Sequence, residues 1–239
     1  MVQTIAHTIQ VLDTLSPTLA LTIPNDTMLY ADAACVVDLE TSSVGMASIV
    51  YSDACSGDGP VEGGASPCDL FFSEYAEGSS NNKYLELYNP TSTAIDLSNY
   101  SIQRYNNGGT STGADITLAG TLAPGETFMI TNSSLNSGWG IENDFPDGNS
   151  LTFYNGDDHL RLLKNGTPID GIGVLGEDPG SSWPVGSGST GEHTLVRNSD
   201  VTQGTIDWTV GATQWTVLAQ NDYSDADQHT FTGTCGAAG

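Results

Sequence analysis

Lys164-Asn165-Gly166 stands between two alternating runs, HLRLL and TPIDGI. Asn-Gly in that setting is among the strongest short-range hairpin signals. A two-residue type I′ turn needs positive φ at both central residues, and its twist matches that of the flanking strands. The same grammar recurs along the chain. DLFFSEY and KYLELYN read as strands, and ITLAGTLAPGETFMITN as two more around Leu122-Ala123-Pro124-Gly125. EHTLVRN and DWTVGATQWTVLAQ close the series, and only residues 133–142 hint at a short helix. Long Ala/Leu/Glu/Lys runs are absent, so the fold class is predicted to be all-β, a β-sandwich of short strands joined by turns.

The chain has 239 residues, enough for one large β domain or two ordinary ones. SGDGPVEGGASP has the composition of a linker, which gives a small N-terminal β module over 1–58, a linker over 59–67 and the main domain over 68–235. In the first module Leu19, Leu21 and Ile23 alternate as a strand that stops at Pro24, and Met28 to Tyr30 begin another. No stretch approaches the roughly 18 apolar residues of a membrane span. The opening MVQTIAHTIQVLD has no basic segment ahead of an apolar one, so no secretory signal is read there.

Charge excludes more than length does. Five basic residues face 29 acidic ones, a formal net charge of −24, and Lys83, Arg104, Arg161, Lys164 and Arg197 all lie mid-chain. Such a chain repels phosphate backbones and anionic lipid, so neither nucleic acid nor membrane is expected as a partner. Cations, basic partners or a salty medium suit it better.

Cys35, Cys55, Cys68 and Cys235 contain no CxxC pair, so zinc and thioredoxin-like chemistry have little support. Four thiols allow three pairings. The favoured one is a local Cys35–Cys55 bridge with Cys68–Cys235 clasping the ends of the larger domain. Disulfides point to an oxidising, extracytoplasmic compartment.

Several clusters invite chemistry. EYAEGSSNNKYLELYNP sets Glu74, Glu77 and Glu86 around Lys83. Strict alternation puts Tyr84, Glu86 and Tyr88 on one face of their strand with Leu85 and Leu87 on the other, and pairs Phe72 with Glu74 on a common face. An apolar neighbour favours burial of Glu74, and a buried carboxylate needs a partner. Lys83 is the candidate, giving a structural ion pair among Glu74, Lys83 and Glu86, with Glu77 as a further acceptor, rather than a catalytic carboxylate pair, which also needs a cleft. Asn155-Gly156-Asp157-Asp158-His159 holds metal-ligating residue types, yet the order is also an ordinary turn ahead of a strand. Asp222, Asp225 and Asp227 could gather calcium, although no EF-hand spacing occurs. Gly186-Ser187-Gly188-Ser189-Thr190 only approximates a nucleophile elbow and lacks the strand-to-helix context. Trp208 and Trp215 read as core residues of the closing strands, and Trp183, in a Ser/Pro loop, either as an exposed contact residue or as packed against the sandwich edge.

At the N-terminus, DTLSPTL followed by a strand, ADAAC and YSDAC resembles an extracellular immunoglobulin-like repeat of the hyalin type, in which the two cysteines of a unit pair. That resemblance carries the pairing onto Cys35 and Cys55. From residue 69 to about 231, the run DLFFSEYAEGSSNNKYLELYNPTSTAIDLSNYSIQRYNNGG, then GTLAPGETFMITN, FYNGDDHLRLLKNGTPIDGIGVLGEDPGSSW and HTLVR closely resembles the bacterial lamin-tail domain. The resemblance implies an immunoglobulin-like β-sandwich of secreted or surface-attached bacterial proteins, accessory to nucleases, phosphatases or adhesive repeats and not itself known as a catalyst. Related domains of nuclear lamins are associated with protein and DNA contacts, but the acidity here argues against carrying over the DNA activity. The resulting expectation is a non-catalytic extracellular or cell-surface module with no cofactor, or with calcium at most, contacting a protein or a surface polymer. The alternatives are a substrate-binding or fragment domain of a secreted hydrolase or nuclease, and a calcium-dependent adhesion module.

Overall fold

The computed structural model describes residues 68–145 and 150–235, and nearer the N-terminus the backbone of three short strands. The chain divides into two units, Met1–Ala65 and Ser66–Gly239. In the first, β1 (Ala20–Leu21), β2 (Ile49–Tyr51) and β3 (Gly59–Val61) form an antiparallel sheet in that order. Residues 59–61, expected in the linker, are therefore a strand. Pro60 is accommodated because β3 is an edge, where one backbone N–H is dispensable. Cys35 and Cys55, and most of the hyalin-type resemblance, lie outside the described residues.

The second unit is built from β4 (Phe71–Glu77), β5 (Lys83–Tyr88), β6 (Ile95–Asp96), β7 (Tyr100–Tyr105), β8 (Thr112–Thr117), β9 (Thr121–Leu122), β10 (Thr127–Thr131), β11 (His159–Lys164), β12 (Thr167–Ile172), β13 (Pro184–Val185), β14 (Gly188–Ser189), β15 (Thr194–Arg197), the single-turn α1 (Trp208–Gly211) and β16 (Trp215–Leu218). One sheet has the order β10-β5-β4-β15-β16, the other β12-β11-β7-β8, and all neighbours are antiparallel. Phe72, Tyr75, Leu85, Leu87, Ile130 and Leu195 of the first sheet meet Tyr100, Ile102, Leu160, Leu162 and Ile172 of the second in a common buried core. This is the expected all-β sandwich.

The hairpin at β11–β12 turns where the sequence placed it, with Asn165 at φ 49° and Gly166 at φ 78°, as a type I′ turn requires. The helical hint at 133–142 reduces to one 3-10 turn, Ser137–Trp139, because Asn136 caps it at one end and Gly140 enters the left-handed region at the other. Trp208 belongs to α1 rather than to a strand, started by Asp207 Oδ1 accepting from the Thr209 amide at 2.9 Å. Both Trp208 and Trp215 are core residues, as read from the sequence.

Of the two readings of Trp183, packing holds and the exposed contact does not. It is buried, with its backbone amide donating to Thr190 Oγ1 at 2.9 Å and its ring edge-on to Trp208. A Cβ on Gly173 would lie 2.5 Å from the indole nitrogen, so the absence of a side chain there makes room for the ring. Cys68 and Cys235 form the expected disulfide, 167 residues apart in sequence, tying the two ends of the sandwich. No helix among the described residues is long and apolar enough to cross a membrane.

Candidate functional site

The most unusual chemistry of the described residues sits on the outer face of the five-stranded sheet. β4 and β5 pair with Phe72 opposite Leu87, then shift register, so that Glu74 stands directly opposite Glu86 and Tyr75 opposite Leu85. Ser73 is the extra residue of a β-bulge. It sends both Phe72 and Tyr75 into the core and leaves Glu74 on the outer face, so the expected pairing of Phe72 with Glu74 on one face does not occur. Beside them on the same outer face, Ala76, Tyr84 and Met129 form a second apolar cluster with Leu135, Trp139, Ile141 and Ala226 packed against it.

Two chain segments roof this face. Residues 132–145 run along β10, where Met129 N–H donates to Asp144 Oδ2 at 2.8 Å and Thr131 N–H to Asn143 Oδ1 at 3.0 Å. Residues 219–235 form a C-terminal strap. Tyr223 stacks on Trp139 at 4.4 Å, His229 packs against Phe71 and Tyr88, and Phe231 packs against Tyr88. The Cys68–Cys235 bond pins the far end.

Beneath this roof Glu74 and Glu86 are 1% and 0% exposed. Glu74 Oε1 accepts from the Tyr84 hydroxyl at 2.8 Å, and Glu86 Oε1 from the Ser73 hydroxyl at 2.6 Å. The Oε2 atom of each has no hydrogen-bond partner. Burial pushes Glu74 up to about 8, opposed by the Tyr84 bond and reinforced by Asp225 and Asp222. Burial likewise pushes Glu86 up to about 9, opposed by Ser73 and reinforced by Glu74 and Asp225. The pair therefore does not ionise fully at neutral pH, and at least one proton stays on it there.

Lys83 does not serve this pair. Its ammonium lies 2.6 Å from Glu77 Oε1 and donates to the Tyr154 carbonyl at 2.7 Å and Asn155 Oδ1 at 3.3 Å. The register explains the correction. Lys83 stands opposite Glu77, whereas Glu86 is three residues further along β5, on the other face. The expected ion pair of Lys83 with Glu74 or Glu86 is replaced by Lys83–Glu77, the further acceptor.

The other candidates serve structure. Asp158 accepts from the Asn107 amide at 3.0 Å and the Asn155 amide at 2.9 Å, and faces Arg104 at 3.4 Å. His159 is buried, its Nδ1 bonded to the Ile172 carbonyl at 2.9 Å, and burial lowers it to about 4. Asp222 Oδ1 accepts from the amide and hydroxyl of Ser224, Asp227 Oδ1 accepts from the Thr127 hydroxyl, and Asp225 is half-buried. Among the described residues no group of three or more His, Cys, Asp or Glu could hold a metal ion, so the calcium expectation at Asp222, Asp225 and Asp227 finds no geometry. The Gly186–Thr190 run is the β13–β14 hairpin, strand to strand, and Ser189 Oγ bonds to the Gly191 carbonyl at 2.9 Å.

Sequence reasoning missed the most buried ion pair. Arg197 and Asp170, both side chains 0% exposed, meet at 2.6 Å, and the guanidinium lies 3.9 Å from the Trp215 ring centre. Asp170 also accepts from the amides of Phe72, Gly171 and Thr205. The available signal was scarcity: a chain with so few cations had placed one inside the apolar run HTLVR.

Residues 64–176 match the family model of the lamin tail domain. The match runs from just before β4 to just after β12, and β13–β16 with the strap lie beyond it. No curated protein matches the chain. A crystal structure of a DUF4876 family protein from Bacteroides thetaiotaomicron VPI-5482 is similar at 11% identity and a TM-score of 0.39, covering 94% of this chain and 85% of that one. Over residues 64–176, from β4 through β12, the β-sandwich of this chain is similar to the lamin tail domain family.

Proposed function

We propose that this sandwich is a non-catalytic contact module of the cell exterior, accessory to a larger secreted protein, and that its partner is a protein or surface polymer carrying positive charge. The observation that carries the reading is how the charges are disposed. Of five basic residues, Lys83, Arg104, Lys164 and Arg197 are each paired with a carboxylate of this chain, at 2.6, 3.4, 2.7 and 2.6 Å. The fifth, Arg161, lies against the Tyr105 ring at 5.6 Å. Cations are thus consumed internally, and most of the 29 acidic residues have no basic residue to pair with. A disulfide closing the domain agrees with an oxidising compartment.

Attraction of this kind acts over a Debye length of about 8 Å at physiological salt, so it steers association and fades as salt rises. The test is binding of the full chain to immobilised cationic polymers, chitosan and polylysine, against an anionic polymer of similar length. Retention by the cationic pair that weakens on the order of tenfold between 50 and 300 mM salt supports the module. Equal retention by the anionic polymer, or metal-dependent turnover in a phosphodiesterase, glycosidase and esterase panel, overturns it.

A further inference from the structure

The geometry of the outer face points to a proton-operated latch. We infer that Glu74 and Glu86, directly opposite each other, share a proton through their two unpartnered Oε2 atoms, and that this pair holds the C-terminal strap, residues 219–231, closed over the sheet.

Direct cross-strand partners bring their Cβ atoms within about 5 Å. Each carboxyl already has its Oε1 satisfied, by Tyr84 or by Ser73, and each presents one unpartnered, buried Oε2. A protonated carboxyl is a donor and its neighbour an acceptor, so one proton between them satisfies both orphaned atoms. Two bare carboxylates at this spacing would repel, and a buried polar group left unpaired costs free energy as well.

The surroundings offer no other charge to do that work. On β10, Met129 faces Glu86, and on β15, Val196 faces Glu74. Arg197, next along β15, is engaged by Asp170, the Phe72 carbonyl and the Trp215 ring. From the strap, Asp222 and Asp225 press on Glu74 and Asp225 on Glu86, all disfavouring ionisation, while the Asp227 backbone amide favours it slightly at Glu86. His229, also on the strap, is held neutral by burial and by Arg197, which lower it to about 4. The lid over the pair is thus itself acidic. Deprotonation sets the pair against Asp222 and Asp225 at once, and the strap is the element that can lift, since between β16 and the Cys68–Cys235 bond side-chain contacts such as Tyr223 on Trp139 and Asp227 with Thr127 hold it down. Its departure uncovers Phe71, Tyr84, Tyr88 and Met129.

The test uses the full, oxidised chain and chymotrypsin, whose sites on the strap are Tyr223 and Phe231. Cleavage there, normalised to an unstructured peptide at each pH, is expected to rise on the order of tenfold between pH 7 and 9.5. In the Glu74→Gln/Glu86→Gln chain it is expected to stay flat, because two amides bond to each other without titrating. Infrared difference spectra of the unaltered chain provide a second measurement that needs no variant. A protonated carboxyl band should be present at pH 7, lost as the pH passes 8 to 9, and matched by strap cleavage. Absence of that band at pH 7 overturns the latch. So does an identical pH profile in the double variant, or a strap that opens at pH 7 when calcium is chelated, which would put a cation where the proton is inferred.

Discussion

Asp170 is the residue on which most buried groups converge. It takes Arg197 and the amides of Phe72, Gly171 and Thr205, at a position where its own exposure is 0%. Removing one member of a buried pair strands the other, which costs about 3–5 kcal/mol. Asp170→Ala is therefore expected to lower the urea-unfolding free energy by that amount, while Lys164→Ala, breaking the more open pair with Asp69, should cost about 0–1 kcal/mol. A second expectation concerns pH. The folded Glu74–Glu86 pair releases its protons only on the way to about 8 and 9, whereas the unfolded chain releases them near 4.5. Between those values the folded state binds more protons, so stability falls as pH rises. Buried His159 and His229, lowered to about 4, act in the opposite sense below their ordinary 6.5. The glutamate effect therefore stands alone among these four groups from about pH 6.5 to 9. Chemical denaturation across that window should show stability falling with pH in the unaltered chain and a shallower slope in Glu74→Gln/Glu86→Gln.

Among the elements, the β4–β5 hairpin shows where alternation succeeds and where it fails. β5 alternates strictly, and its two faces follow the period-two reading: Leu85 and Leu87 inward, Tyr84 and Glu86 outward. β4 departs from it because Ser73 is inserted opposite nothing, and no composition signal in FFSEY marks which residue bulges. Deleting Ser73 is expected to keep Phe72 opposite Leu87 and Glu74 opposite Glu86, with a loss of about 1 kcal/mol from the hydroxyl bond to Glu86. Deleting Ala76 instead slips the rest of β4 by one residue and turns its faces over, so the protein should fail to give a cooperative urea transition. Circular dichroism with urea titration separates the two outcomes. The misassigned partner of Lys83 has a separate cause, since the opposing residue of a strand end is set by register, which residue types alone do not reveal.

For the whole molecule, closure and charge act together. The Cys68–Cys235 bond spans 167 residues. On the loop-entropy argument its removal costs about 5 kcal/mol, with about 2–5 typical of native disulfides. Cys68→Ser/Cys235→Ser should lower the melting temperature markedly and loosen the strap, measurable by amide exchange in residues 219–231. The net charge of −24 adds self-repulsion that salt screens, so sodium chloride should raise the melting temperature of both chains.

The sequence by itself determined the all-β class, the β11–β12 hairpin and the apolar faces of β5; it favoured the Cys68–Cys235 closure among three pairings and carried the lamin-tail resemblance. These rest on local physics: turn residues that accept positive φ, a side-chain period of two, and motif order along the chain. The tertiary structure alone decided which carboxylate Lys83 would meet, that Trp183 would fold onto Gly173, and that an acidic C-terminal strap would cover two glutamates. The first depends on register, the second on a loop folding back onto the end of β12, and the third on segments more than a hundred residues apart coming together, and burial is what then changes the chemistry. In the sequence Glu74 and Glu86 read as ionised partners of a lysine; only the strap above them and the bulge beside them make them hold on to a proton.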